Sequence, residues 1–247
     1  MFSFSITAKA ITASFRVPET HTFHQTLPLP PKTTMVGMIG AALGKRLDEA
    51  YAFVEQNNIL VSVYGTHEGL MNDLWNYRKL TGKEKSFTTE DIKNRRQYSI
   101  LIREFLYANN FTFFFAAETP DSLQQLKKAF GSPYYALTAG NSDDLLKICN
   151  ISDVGEIQPE KLCRFENTIL PGDEVSRSYK HDIDLKQVPI TQTLYTPQVF
   201  LLPTKFEFKG EERRVIERKP FTFVSTPVTL SNPLEGYVVD GKAVVLQ

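Results

Sequence analysis

Alternation dominates the first residues of the chain. Phe2, Phe4, Ile6, Ala8 and Ala10 are interleaved with Ser3, Ser5, Thr7 and Lys9, the period of a strand with one buried face. A loop through Phe15-Arg16-Val17-Pro18 leads to Pro28, Pro30 and Pro31, which favour extended backbone. The spacing then predicts a helix over about 34–50, with Lys32, Thr33 and Thr34 as cap candidates. Ile59 to Tyr64 reads as a second strand closed by Gly65, and residues 67–97 as a polar, basic insertion of loop or hairpin character. Two apolar runs, Tyr98–Tyr107 and Phe111–Ala117, meet at Asn109-Asn110, a turn site, and so predict a hairpin. Pro120-Asp121-Ser122 opens a helix to Phe130 with Leu123, Leu126, Ala129 and Phe130 on one face.

This order is close to an α+β, ferredoxin-like arrangement: a four-stranded sheet with two helices on one face. Beyond it the chain turns strand-rich, with short apolar runs at Val199–Leu202, Phe206–Phe208, Phe221–Val224 and Tyr237–Leu246. Val238-Val239-Asp240-Gly241-Lys242-Ala243-Val244 carries the Asp-Gly signal of a type I′ hairpin. Residues 1–140 form the first unit, with an insertion at 67–103, and residues 141–247 a β-rich second region packed on it.

Gly37, Gly40, Ala41 and Gly44 lie about one helical turn apart. Glycine costs about 1 kcal/mol against alanine inside a helix, so the repeat implies close approach to a neighbour. A P-loop is excluded, because only three residues separate Gly40 from Gly44 and Lys45 is followed by Arg46. Packing of a small-residue helix on a sheet is the expectation.

Composition is that of a globular protein: 42% hydrophobic, 23% charged, net charge zero. No secretory signal or membrane-spanning run is visible, and Cys149 and Cys163 are too few for a disulfide framework, so a cytoplasmic location is expected. The charge is segregated. Residues 78–103 hold eight basic and three acidic side chains, whereas residues 140–174 hold three basic and eight acidic. The first segment suits a polyanion.

The block Gln25-Thr-Leu-Pro-Leu-Pro-Pro-Lys32-Thr33-Thr34-Met-Val-Gly37-Met-Ile-Gly40-Ala-Ala-Leu-Gly44, after Phe15-Arg16-Val17-Pro18, resembles the N-terminal signature of the CRISPR-associated Cas-five family. Tyr98-Ser-Ile-Leu-Ile-Arg103-Glu104 and Gly131-Ser-Pro133-Tyr134-Tyr135-Ala-Leu137-Thr-Ala-Gly140-Asn141-Ser142-Asp143-Asp144-Leu145 agree with later family blocks, in order. The resemblance implies an RNA-recognition-type (RAMP) palm with a thumb hairpin, in a type I surveillance (Cascade) complex, with subtype I-B the candidate. Such a subunit caps the 5′ handle of crRNA and docks the backbone and large subunits, with target DNA near the flanking motif a further candidate partner. No cofactor or membrane is implied.

Cations for phosphates, rings for bases and helix-start N–H groups are what single-stranded RNA requires. The RNA-binding candidates are therefore Arg16, Gln25, Lys32, Thr33, Thr34, Lys83, Lys85, Arg95, Arg96, Tyr98, Asn141 and Ser142, with Trp75 and Tyr77 as partner contacts. Asp143-Asp144 reads as a turn and helix cap, and Lys205–Lys219 as a solvated hairpin. No metal set or catalytic triad is recognisable, and a non-enzyme is expected. The alternative is a metal-independent endoribonuclease, such as one subgroup of the family. His21, His24 and His67 keep it open as proton carriers, while His181 joins no matching block.

Overall fold

The computed structural model describes residues 1–20, 23–78, 88–90, 98–173, 175, 178–184, 195–210 and 212–247. His21, Lys83, Lys85, Arg95 and Arg96 lie outside the described residues, as do the side chains of Tyr77 and Tyr98. The elements are β1 (Phe2–Ala13), β2 (Phe23–His24), α1 (Lys32–Leu43), α2 (Leu47–Gln56), β3 (Leu60–Thr66), β4 (Gly69–Arg78), β5 (Tyr98–Ala117) and α3 (Pro120–Gly131). They continue with β6 (Lys147–Ile151), β7 (Gly155–Glu156), β8 (Glu160–Phe165), β9 (Thr168–Pro171), β10 (Tyr179–His181), β11 (Gln198–Lys209), β12 (Glu212–Val224), β13 (Val228–Val239) and β14 (Lys242–Val244).

Four strands form the centre in the order β6-β1-β5-β3, every neighbouring pair antiparallel. The alternation in β1 puts Phe4, Ile6 and Ala8 on the face that α1, α2 and α3 cover, beside Phe111, Phe113 and Phe115 of β5. Phe115 stacks on Phe4 with ring centroids 5.2 Å apart and lies 5.1 Å from Phe130 of α3. The sheet does not stop at four strands. β9, β12 and β11 extend it beyond β3, so part of the C-terminal region continues the first sheet. A second sheet of β8, β10, β13 and β14 packs Phe165 and Val228 against Leu170 of β9 and Val224 of β12 in a second small core.

The predicted single helix over 34–50 is corrected to two. Gly44 takes φ 67°, and its own N–H and that of Lys45 bond to the Ala41 and Gly40 carbonyls, closing α1 in a left-handed cap. The cap side chains differ too: Pro31 is the N-cap and makes no side-chain bond, leaving Lys32, Thr33 and Thr34 as the first helical residues. The close neighbour of the glycine face is not a sheet. A Cβ on Gly40 would stand 3.0 Å from Ala50 Cβ on α2, and one on Gly44 would stand 2.8 Å from the Tyr134 ring.

Asn109-Asn110 makes no turn. β5 runs straight through it for 20 residues. Asn109 is buried, and its amide donates to the carbonyls of Leu106 (3.0 Å) and Ala10 (3.3 Å), tying the strand together where a turn was expected. The neighbouring Ala108 has φ 53°, a left-handed conformation costing a residue with a Cβ about 1–2 kcal/mol. Ala10 and Ala13 are both buried, as are Leu106 and Asn109, so the in–out pleat slips by one residue there. Asp143-Asp144 forms a turn but caps no helix, since β6 follows. The Asp240-Gly241 hairpin is present, with φ 50° and 72° at its two central residues.

Candidate nucleic-acid interface

β4 and the first half of β5 pair from Gly69↔Tyr107 to Arg78↔Tyr98, and β4 pairs with β5 alone. β2 lies beside the same stretch of β5 in parallel (Phe23↔Ile102, His24↔Arg103), and the β4–β5 hairpin is the main described part of the insertion. Its strands alternate, so its two faces differ. On one face Leu70, Leu74, Ile100 and Ile102 are 50%, 63%, 65% and 40% exposed. Leu70 borders a cleft lined by Gln25, His67 and Tyr195, while Leu74 and Ile100 stand open to solvent. On the other, the Arg103 guanidinium lies 4.0 Å from the Trp75 ring and 3.7 Å from both Asp73 Oδ2 and Asp143 Oδ2. Trp75 Nε1 donates to Asp73 Oδ2 at 2.5 Å. Arg103 is only 7% exposed, and its Nε and Nη1 have no hydrogen-bond partner. Trp75, expected at a partner interface, thus packs on the hairpin's own arginine. Arg103 links the hairpin to the 139–145 turn of the body, a role that a count of basic residues did not reveal.

The loop between β1 and α1 folds back on itself beside the hairpin. Phe15 N–H donates to Thr26 Oγ1 at 2.8 Å, and Val17 N–H to the Gln25 carbonyl at 2.9 Å. Glu104 of β5 anchors this loop by accepting from Thr26 N–H at 3.1 Å and, through its carbonyl, from Ser14 Oγ at 2.9 Å. Arg16 is exposed and bonds the Thr20 carbonyl through Nε and Nη2 (3.2 and 2.7 Å). Gln25 is exposed at the rim of a cleft.

That cleft consists of two adjoining cavities of about 450 and 340 Å³, sharing Pro28, His67, Tyr195 and Ser225. His67 sits at the β3–β4 corner, and its Nδ1 is buried without a hydrogen-bond partner. Burial pushes its pKa below the ordinary histidine value, opposed in part by the Gly69 backbone. His24 lies on β2 and exposed His181 on β10, stacked edge-on against Tyr179 at 5.1 Å; neither lines the cleft. Among the described residues, no three His, Cys, Asp or Glu side chains gather in a metal-binding group. No described helix is long and apolar enough to cross a membrane.

The start of α1 is more enclosed than a phosphate cradle. Lys32, Thr33 and Thr34 are half-buried. The crevice beside Lys32, walled by Ile169, Leu202, Pro203 and Phe221, holds only about 10 Å³. Burial and then the neighbouring Lys219 lower the Lys32 pKa. Asn141 spends its amide within the chain, donating to Asp144 Oδ2 at 3.2 Å, while Thr12 Oγ1 donates to Asp144 Oδ1 at 2.6 Å. Ser142 is exposed on the same turn. The structure therefore brings Gln25 to the cleft beside the hairpin base and puts Arg16 on the same folded-back loop. Lys32 to Thr34 and Asn141 sit elsewhere.

Comparison with known proteins adds identity to this geometry. A search of curated proteins returns no match. Similar solved structures include two that cover nearly the whole chain. One is described as a "CRISPR RNA-guided surveillance complex" (15% identity, TM-score 0.53, covering 94% of this chain and 91% of that one). The other is described as a CRISPR protein from Archaeoglobus fulgidus (10% identity, TM-score 0.52, covering 100% and 99%). At such identities the likeness is one of fold. The family profile described as CRISPR-associated protein (Cas_Cas5) matches residues 9–189, which include the proline run, α1, the hairpin and the 139–145 turn. By that match the chain belongs to the CRISPR-associated Cas5 family.

Proposed function

We propose that this protein is a non-catalytic, cytoplasmic subunit of a type I CRISPR surveillance complex, of subtype I-B. It binds and caps the 5′ handle of crRNA and docks the backbone and large subunits, bringing target DNA near the flanking motif within reach. In this reading the β6-β1-β5-β3 sheet with its helices is a ferredoxin-like palm, and the β4–β5 hairpin is its thumb. The observation that carries the reading is that hairpin. Its strands are joined by a segment whose sequence holds Lys83, Lys85, Arg95 and Arg96, and one face exposes four large aliphatic side chains. Cations at one end serve phosphates, and an uncovered aliphatic face serves a protein neighbour.

A second reading, a metal-independent endoribonuclease, has one observation in its favour. His67 lines the cleft next to Gln25, and its burial favours the neutral ring that a general base requires. Against it, among the described residues no lysine or arginine lines either cavity to balance charge on a cleaving phosphate.

Labelled repeat RNA in EDTA separates the two. The scaffold reading expects intact RNA, and clean cleavage at one repeat position selects the enzyme. Replacing Arg95, Arg96 and Tyr98 together with alanine is expected to weaken handle binding by about tenfold or more and to flatten its salt dependence. Unchanged affinity with unchanged salt slope contradicts the placement of RNA along the hairpin.

A further inference from the structure

The central sheet has a second face, turned away from the helices, and the described chain covers only part of it. Near the start of β1 the β13–β14 hairpin lies over it: Ser5 Oγ donates to Asp240 Oδ2 at 2.5 Å, and Phe114 packs with Val239 and Val244. Toward the other end the face is open. One row there crosses four strands: Lys147 opposite Lys9, Lys9 opposite Asn110, and Asn110 opposite Thr66. All four are exposed. Directly opposed residues of antiparallel strands share a face, and like charges so placed repel. No carboxylate is paired with Lys9 or Lys147 among the described residues.

Beyond this row lies an open cleft of about 810 Å³. Ile11 is 78% exposed in it, Leu145 64% and Tyr107 41%. The left-handed Ala108 and the buried Asn109 are what turn Tyr107 outward, since the pleat slips at that point. A backbone outlier that re-aims an aromatic side chain onto an open surface is characteristic of a binding surface. Glu68 stands on the far wall, so negative charge is favoured on the lysine side only.

We infer that this open sheet face binds a second stretch of single-stranded nucleic acid, on the side of the sheet that runs from Lys147 and Lys9 to Tyr107 at the base of the hairpin. Lys9 and Lys147 hold adjacent phosphates, which relieves their mutual repulsion. Tyr107 stacks on a base, Ile11 and Leu145 wall that base, and Asn110 offers hydrogen bonds to its edge. An acidic protein segment fits the lysines, but not the ring placed beside an amide group. The inference does not require that the chain reads a 5′ handle.

The test is fluorescence anisotropy on the full chain with two probes, a twelve-residue oligouridylate and a repeat-derived handle RNA. Replacing Lys9 and Lys147 with alanine is expected to weaken oligouridylate binding about tenfold. The log–log salt slope should flatten by about 1.4, for two phosphates on a single strand. Tyr107→Ala is expected to lose about tenfold without changing that slope, and ultraviolet crosslinking of the parent should label Tyr107. The lysine variant should melt at or above the parent temperature, because a repulsion is removed. Oligouridylate affinity indifferent to all three substitutions overturns the inference, as does a variant that loses assembly with partner subunits while keeping oligouridylate. If the parent binds oligouridylate through this face without favouring the handle, the surface stands and the handle reading falls. If the parent favours the handle and the three substitutions leave oligouridylate binding unchanged, the handle reading stands and the surface falls.

Discussion

Replacing Gly140 with alanine is expected to lower the melting temperature far below that of the parent. Gly140 has φ 109°, outside the range of ordinary side-chain-bearing residues. A Cβ there would overlap the Ser14 carbonyl oxygen and lie 2.8 Å from its carbon. Both are backbone atoms, so no rotamer change relieves the clash. Moving either segment breaks the Ser14 N–H to Ala139 carbonyl bond of 3.0 Å and disturbs the buried Asp144 turn behind it. We expect a loss of about 4 kcal/mol or more, a large share of the roughly 5–15 kcal/mol that keeps an ordinary domain folded. Gly37→Ala is the control, since a Cβ there has nothing within 4 Å and alanine favours the helix. Thermal unfolding of the two variants checks the contrast. A G140A protein that melts within a few degrees of the parent would contradict this account of the turn.

Leu74→Asp with Ile100→Asp addresses assembly. Both side chains lie on the uncovered face of the hairpin, so charging them should shift stability by no more than about 0.5 kcal/mol each. At an interface the same change buries two carboxylates against apolar surface, and central contacts of this kind are worth about 2 kcal/mol or more each. The expected result is an unchanged melting temperature and a loss of about 100-fold or more in affinity for the backbone subunit. Ile216→Asp, equally exposed on β12, serves as the control. Normal assembly of the double variant would assign the hairpin face to solvent.

Local signals in the sequence carried far. The alternation in β1, the Pro-Asp-Ser opening of α3 and the Asp240-Gly241 turn are each decided by a few adjacent residues, and each is present in the structure. What was not legible depended on distant neighbours. Gly44 looked like a member of a small-residue helix face, whereas its left-handed cap ends the helix, and the Tyr134 ring and the return of α2 onto Gly40 occupy the space beside it. Asn109-Asn110 carried a turn signal, yet a buried amide bonding to Ala10 and Leu106 requires the same residue type. The extension of the sheet through β9 and β12 is a pairing between segments about 100 residues or more from β3, beyond any local pattern. At the site, counting charge across the insertion hid its alternation. Leu70 and Leu74 with Ile100 and Ile102 mark one face, Trp75 and Arg103 the other, and the period of two was there to be read.

Under the proposed function, this Cas5-family chain holds the 5′ end of a guide RNA without cutting it. The most direct measurement is a titration of the intact protein with two labelled RNAs, one carrying the repeat-derived 5′ handle and one beginning at the spacer, with each RNA recovered afterwards on a denaturing gel. The account predicts binding at least about tenfold tighter to the handle-bearing RNA, with both RNAs recovered at full length. Equal affinity for the two, or a single-site cleavage product, would contradict it.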